Sequence, residues 1–225
     1  MTRTKLKDRK LPPYSKGEEI ANMVTHIIGG ALGIVTAVTC IVKSFLVGDA
    51  YRIVGSFIFG ISMITLYTMS SLYHGLKQGT AKKVFQVIDH CTIFILIAGT
   101  YTPICLSVLR EANPMLGWGI LTAVWAISAL GISLNAIDLK RYSTFSLICY
   151  VLLGWCIVLP GKTAINAIPQ KGFVFLLLGG VAYTVGAVLY AIGGKRNTPY
   201  IHTVFHIFVV IGSLLQYFAI LFYII

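Results

Sequence analysis

Charge is what this sequence has least of. Only 11% of its 225 residues are Asp, Glu, Lys or Arg, and just seven are acidic. Soluble domains carry about 25% charged residues, so a soluble fold is excluded. Cysteines are few and unclustered. Cys40, Cys91, Cys105, Cys149 and Cys156 show no CxxC spacing and lie in apolar stretches, which reads as reduced core residues and excludes a disulfide framework. Residues 1–19 lack the apolar core of a secretory leader, so no cleavable signal peptide is expected. No internal repeat or low-complexity segment is visible. What remains abundant is hydrocarbon: 57% of residues are hydrophobic and the mean hydropathy is +0.84.

A membrane-spanning helix needs about 20 largely apolar residues. That measure predicts an all-α integral membrane protein of seven spans, at roughly 20–47, 52–75, 84–109, 115–137, 143–160, 172–193 and 200–224. Turn chemistry or charge separates them at Gly48-Asp49, Gly75 to Lys83, Arg110 to Pro114, Asp138 to Arg141, Pro160 to Lys171 and Gly193 to Thr198. Thr198 and Pro199 are expected as N-cap and first residue of the last helix. Pro103 is expected to kink the third, and Gly29, Gly30, Gly33, Gly179, Gly180 and Gly186 to allow close helix approach.

The net charge of +11 is not spread evenly. Of 18 Lys and Arg, the tail (Arg3, Lys5, Lys7, Arg9, Lys10, Lys16) and the even loops (Lys77, Lys82, Lys83, Lys140, Arg141, Lys195, Arg196) hold 13. The opposite side holds five: Lys43, Arg52, Arg110, Lys162 and Lys171. This places the N-terminus in the cytoplasm and the C-terminus outside, with residues 1–19 as a basic cytoplasmic tail and 20–225 as the transmembrane domain. The positive charge then reports orientation against an anionic leaflet, and no nucleic-acid partner is implied.

Polar residues inside the spans gather in the cytoplasmic half. His202 and His206 stand at i and i+4 on the last helix, Ser70 and His74 at i and i+4 on the second. Asp89 follows Lys83 by six residues, and Glu19, Asn22 and His26 share one face of the first helix. Burying such a layer is costly unless its members satisfy one another, and one cation would do so. His74, His202 and His206 form the expected zinc ligands, three imidazoles with the fourth position open. Asp89 either orients a water there and takes its proton or closes the site as a fourth ligand; both readings stand. Ser70 either donates to that water or to a substrate oxygen, or bonds back to its own helix. His90 is left out, because neighbours on a helix point about 100° apart. Glu19, Asn22 and His26 are expected to form a hydrogen-bond cluster between helices at the cytoplasmic mouth.

The pattern Glu19-x2-Asn22-x2-Thr25-His26-x2-Gly29, Ser70-x3-His74, Asp89 and His202-x3-His206 resembles the bacterial hemolysin III branch of the progestin and adipoQ receptor family. Ser71-Leu72-Tyr73-His74, Asp89-His90 and Ala98 to Pro103 strengthen the likeness, which spans the chain after its tail. The resemblance implies seven transmembrane helices with an inside N-terminus, and zinc on His74, His202 and His206 with Ser70 and Asp89 beside its water. Family members often carry another histidine where this chain has Gln216. The wider superfamily includes alkaline ceramidases, which cleave a lipid amide. The expected function is therefore a zinc-dependent hydrolase of a lipid amide or ester in the plasma membrane, with membrane lipid as substrate or ligand. A sensor of membrane state with structural zinc is the second reading. A pore-forming cytolysin is the third and the weakest physically, because the polar residues stop halfway across.

Overall fold

The computed structural model describes residues 3–196 and 198–225. Asn197, inside the break expected from Gly193 to Thr198, and the first two tail residues lie outside them. The described residues are helical throughout the body of the chain and contain no strand. The main helices are α1 (Lys16–Val47), α2 (Ala50–Gly75), α3 (Thr80–Ile104), α4 (Pro114–Gly154), the short α5 (Lys162–Ala167), α6 (Gln170–Lys195) and α7 (Ile201–Ala219). Among the described residues, six helical runs are long and apolar enough to cross a bilayer.

Local chemistry sets their ends. Ser15 caps α1 in a reciprocal capping box with Glu18, and left-handed Gly48 (φ 76°) closes it. Asp49 then caps α2 by accepting from the Arg52 N–H at 2.8 Å. Asn113 caps α4, with Pro114 as its first residue. Pro103 sits inside α3, and the helix continues past it into a wider π turn at Cys105–Leu109.

The fourth and fifth expected segments are joined into α4, which at 1.5 Å per residue amounts to about 60 Å of helix. Only Asp138 leaves helical geometry (φ −155°, ψ 93°), so the expected break at Asp138 to Arg141 shrinks to one residue. Asp138 acts there as an internal N-cap, its Oδ1 accepting from the Arg141 N–H at 3.3 Å. The chain turns back on itself at this point. Ser146 Oγ donates to Asn135 Oδ1 at 2.7 Å, whereas 11 residues of straight helix would hold them about 16 Å apart. The basic tail closes over the turn. Arg3 and Arg9 both donate to the Ile137 carbonyl (2.9 and 3.2 Å), and the Thr4 N–H donates to Asp138 Oδ2 at 2.8 Å.

The start of α7 corrects an expectation. The N-cap is Tyr200, in the left-handed region at φ 59°, and not Thr198 with Pro199. That conformation is strained for a tyrosine by about 1–2 kcal/mol. Its N–H donates to Glu18 Oε1 at 2.9 Å, which ties the start of α7 to the start of α1. Close packing joins α1 to α2: a Cβ on Gly60 would come within 2.5 Å of Ala37, and one on Gly29 would run into the Tyr67 ring. Gly30 and Gly180, by contrast, have no such tight neighbour. α3 packs between α2 and α4, and α7 against α1 and α6.

Candidate metal centre

Each helix contributes a face by its own periodicity. α2 presents Ser70 and His74 one turn apart, α7 presents His202 and His206 likewise, and all four are buried. The ring centroids of His74 lie 5.2 Å from those of both His202 and His206, and His202 Nε2 lies 3.1 Å from His206 Nε2. One nitrogen from each of the three falls within 4.8 Å of the others. A tetrahedral zinc with bonds of about 2.0–2.1 Å puts its ligand nitrogens roughly 3.3 Å apart, so the α7 pair already has the right separation.

The donor chemistry fits a cation. His74 Nδ1 is 2.7 Å from Glu19 Oε2. A carboxylate can only accept, so Nδ1 carries the hydrogen and Nε2 keeps its lone pair. That Nε2 is buried and has no hydrogen-bond partner. His206 Nδ1 donates to the Asn22 carbonyl at 3.2 Å, which leaves a lone pair on its Nε2 as well. Asn22 also accepts from Thr203 Oγ1 at 2.6 Å. Glu19 and Asn22 thus hold the imidazoles in the tautomer a metal needs, the usual office of such outer partners. His26 takes a different place from the expected cluster. It stacks on His206 (3.6 Å, 11°), and neither of its nitrogens has a partner.

Asp89 and Ser70 stand beside this group. Ser70 Oγ is buried and unpartnered, so it does not bond back to its helix; Ser71 does, donating to the Tyr67 carbonyl at 2.7 Å. Asp89 faces a cavity of ≈ 380 Å³ that His202 and His206 also line. The close set of ligand atoms among the described residues comprises the three histidines without Asp89. His90 lines the same cavity, which the 100° argument did not foresee, because the cavity is wide enough to meet two adjacent directions of α3. From the histidines the cavity follows α3 to Ile104, roughly 22 Å at 1.5 Å per residue, between α3, the second half of α4, α6 and α7. Ile93, Ile97, Leu147, Val151 and Leu176 give it apolar walls.

On its other side, His74 lines a second pocket of ≈ 360 Å³ with Tyr14, Glu19, Lys77 and Lys82. Tyr14, from the tail, stacks on His202 (5.2 Å, 13°), and burial pushes its phenol well above its ordinary range, so the ring stays neutral. A tyrosine six residues before the first expected span gives no signal of this role.

Residues 14–217 match the family described as Haemolysin-III related. The chain belongs to the haemolysin-III family. Hemolysin-3 of Bacillus cereus is 36% identical over 207 residues, covering 92% of each chain. The Hemolysin-3 homolog of Bacillus subtilis (strain 168) is 37% identical over 206 residues, covering 92% of this chain and 94% of its own. Monocyte to macrophage differentiation factor of Homo sapiens is 26% identical over 218 residues, 90% of this chain and 83% of its own. No solved structure matches. With these relatives and six long apolar helices, this haemolysin-III member is a multi-pass membrane protein.

Proposed function

We propose that this haemolysin-III protein is a zinc-dependent hydrolase of a lipid amide or ester. The observation that carries the reading is a three-histidine cluster, with Asp89 outside it, at the end of a long apolar cavity. The volume of ≈ 380 Å³ falls in the range of small-molecule pockets, about 300–1,000 Å³. Its length and walls suit an acyl chain, and its end brings an attached carbonyl to the histidines. His74, His202 and His206 would hold the zinc, which supplies Lewis acidity to a scissile carbonyl and to a water when bound. Asp89, a carboxylate facing the cavity beside Ser70, receives the proton lost by the attacking water and returns it to the departing amine or alcohol. Ser70 Oγ donates to the substrate oxygen. Glu19 and Asn22 keep the imidazoles of His74 and His206 oriented through Nδ1.

The same reading has seven spans, with the N-terminus inside and the C-terminus outside. The reversal at Asp138 supports it by dividing α4 into two antiparallel arms, and the 13-to-5 charge split supports the orientation. Purified protein in lipid nanodiscs, offered ceramides, other lipid amides and lipid esters, should release free fatty acid. The release should stop with a chelator and return with zinc. A zinc-loaded protein that turns over none of these lipids would reject the reading.

A further inference from the structure

Lys82 is 2% exposed, next to an otherwise ordinary surface lysine, Lys83, whose Nζ donates to the Lys7 carbonyl. Its own helix gives no reason for burying it, since a cation in the first turn opposes the helix dipole. Its partners do. Nζ donates to the carbonyls of Tyr73 (2.9 Å) and Leu76 (3.0 Å), at the open C-terminal end of α2, and lies 2.9 Å from Glu19 Oε1. An ammonium has three hydrogens, and the α2 carbonyls can take all three, while Glu19 Oε1 meets the charge as an ion partner. The His74 carbonyl, at 3.4 Å, is a fourth and longer neighbour.

Glu19 is thereby divided between two partners. Oε1 meets Lys82 and Oε2 meets His74 Nδ1 at 2.7 Å. We propose that Lys82 is a positioning residue for the metal centre, acting through Glu19 to set the tautomer and ring orientation of His74. The proposal rests on the zinc reading above. Without the ammonium, Oε1 loses its ion partner and the carboxylate is free to turn away from the imidazole. His74 can then present the wrong nitrogen. Helix capping alone predicts something different: loss of Lys82 would cost stability and leave the affinity for metal unchanged.

The test is zinc affinity, measured by competition with a chromogenic chelator on the full-length protein. Wild type is compared with Lys82→Met, Lys82→Gln, Glu19→Gln and the Lys82→Met/Glu19→Gln double variant, with metal-free thermal unfolding recorded for each. Lys82→Gln keeps a donor for the α2 carbonyls and removes the charge that pairs with Glu19, so it serves where Lys82→Met does not fold. Lys82→Gln and Glu19→Gln should each weaken zinc binding by about 10–100-fold, the usual cost of losing an outer partner. The double variant should be no weaker than Glu19→Gln, because both changes act on one path. Wild-type affinity in Lys82→Gln overturns the proposal, as do losses that multiply in the double variant. A wild type that binds no zinc overturns instead the zinc reading on which the proposal rests, a result visible before any variant is made.

Discussion

Asp89→Asn removes one charge and keeps the shape and one carbonyl-type oxygen of the side chain. The three histidines form the close ligand set without Asp89, so zinc content should stay at the wild-type value. The side chain faces the cavity with Ser70 beside it, and an amide oxygen can take the carboxylate's place there, so the unfolding temperature should change little. The chemistry should suffer alone. Loss of a general base lowers rates by about 10²–10⁴-fold. At about 1.36 kcal/mol per decade that is roughly 2.7–5.4 kcal/mol on the barrier. The assay is fatty-acid release under zinc saturation, with bound metal measured on the same sample. Two results refute the reasoning in different ways. Full activity with full zinc removes the base from the mechanism, whereas joint loss of zinc and stability makes Asp89 a ligand and the zinc structural.

Other outcomes follow from the same geometry. His202→Ala and His206→Ala should each abolish stoichiometric zinc binding while His90→Ala retains it, as metal analysis after gel filtration will show; retention by His206→Ala would sink the three-histidine site. A reporter fused after Ile225 should behave as extracytoplasmic and one inserted beside Lys140 as cytoplasmic, and a cytoplasmic C-terminal reporter rejects the seven-span arrangement. Gly29→Ala drives a methyl into the Tyr67 ring and should cost about 1–3 kcal/mol in unfolding measurements; an unchanged unfolding curve would mean that α1 and α2 separate freely.

The all-helical, membrane-spanning character is legible because hydrocarbon length is a one-dimensional property. The expected segment 20–47 begins four residues late against α1, since the capping box at Ser15 starts the helix among polar residues. The charge of Asp138-Leu139-Lys140-Arg141 predicts a four-residue break after Ile137. Capping by Asp138 lets helix resume at once. Thr198-Pro199 carried the local signature of a helix start, but the distant hydrogen bond from Tyr200 to Glu18 moved the start inward. At the centre, i and i+4 spacing pairs His202 with His206, and the packing of α2 against α1 and α7 brings His74 to them. It gave no hint of Lys82, which looks like one more inside-positive charge until α2 and Glu19 are seen around it. Tyr14 was hidden similarly, in a tail whose fold depends on where Ile137 and Asp138 lie. Partners that reach across helices leave no periodicity behind.

The imidazoles stand as a wall between two chambers, with His74 facing one and His202 and His206 the other. The chamber beyond His74 carries Lys77, Lys82 and Glu19, while the one behind His206 runs up through isoleucine, leucine and valine. A molecule cleaved at that wall falls into halves of unlike solubility, and each half already lies against the compartment that dissolves it. Under the hydrolase reading, the greasy fragment backs out into the leaflet and the polar fragment drains toward the basic loops. Product departure would then be sorted by partition, and accumulation of either fragment would be felt from its own side of the membrane surface.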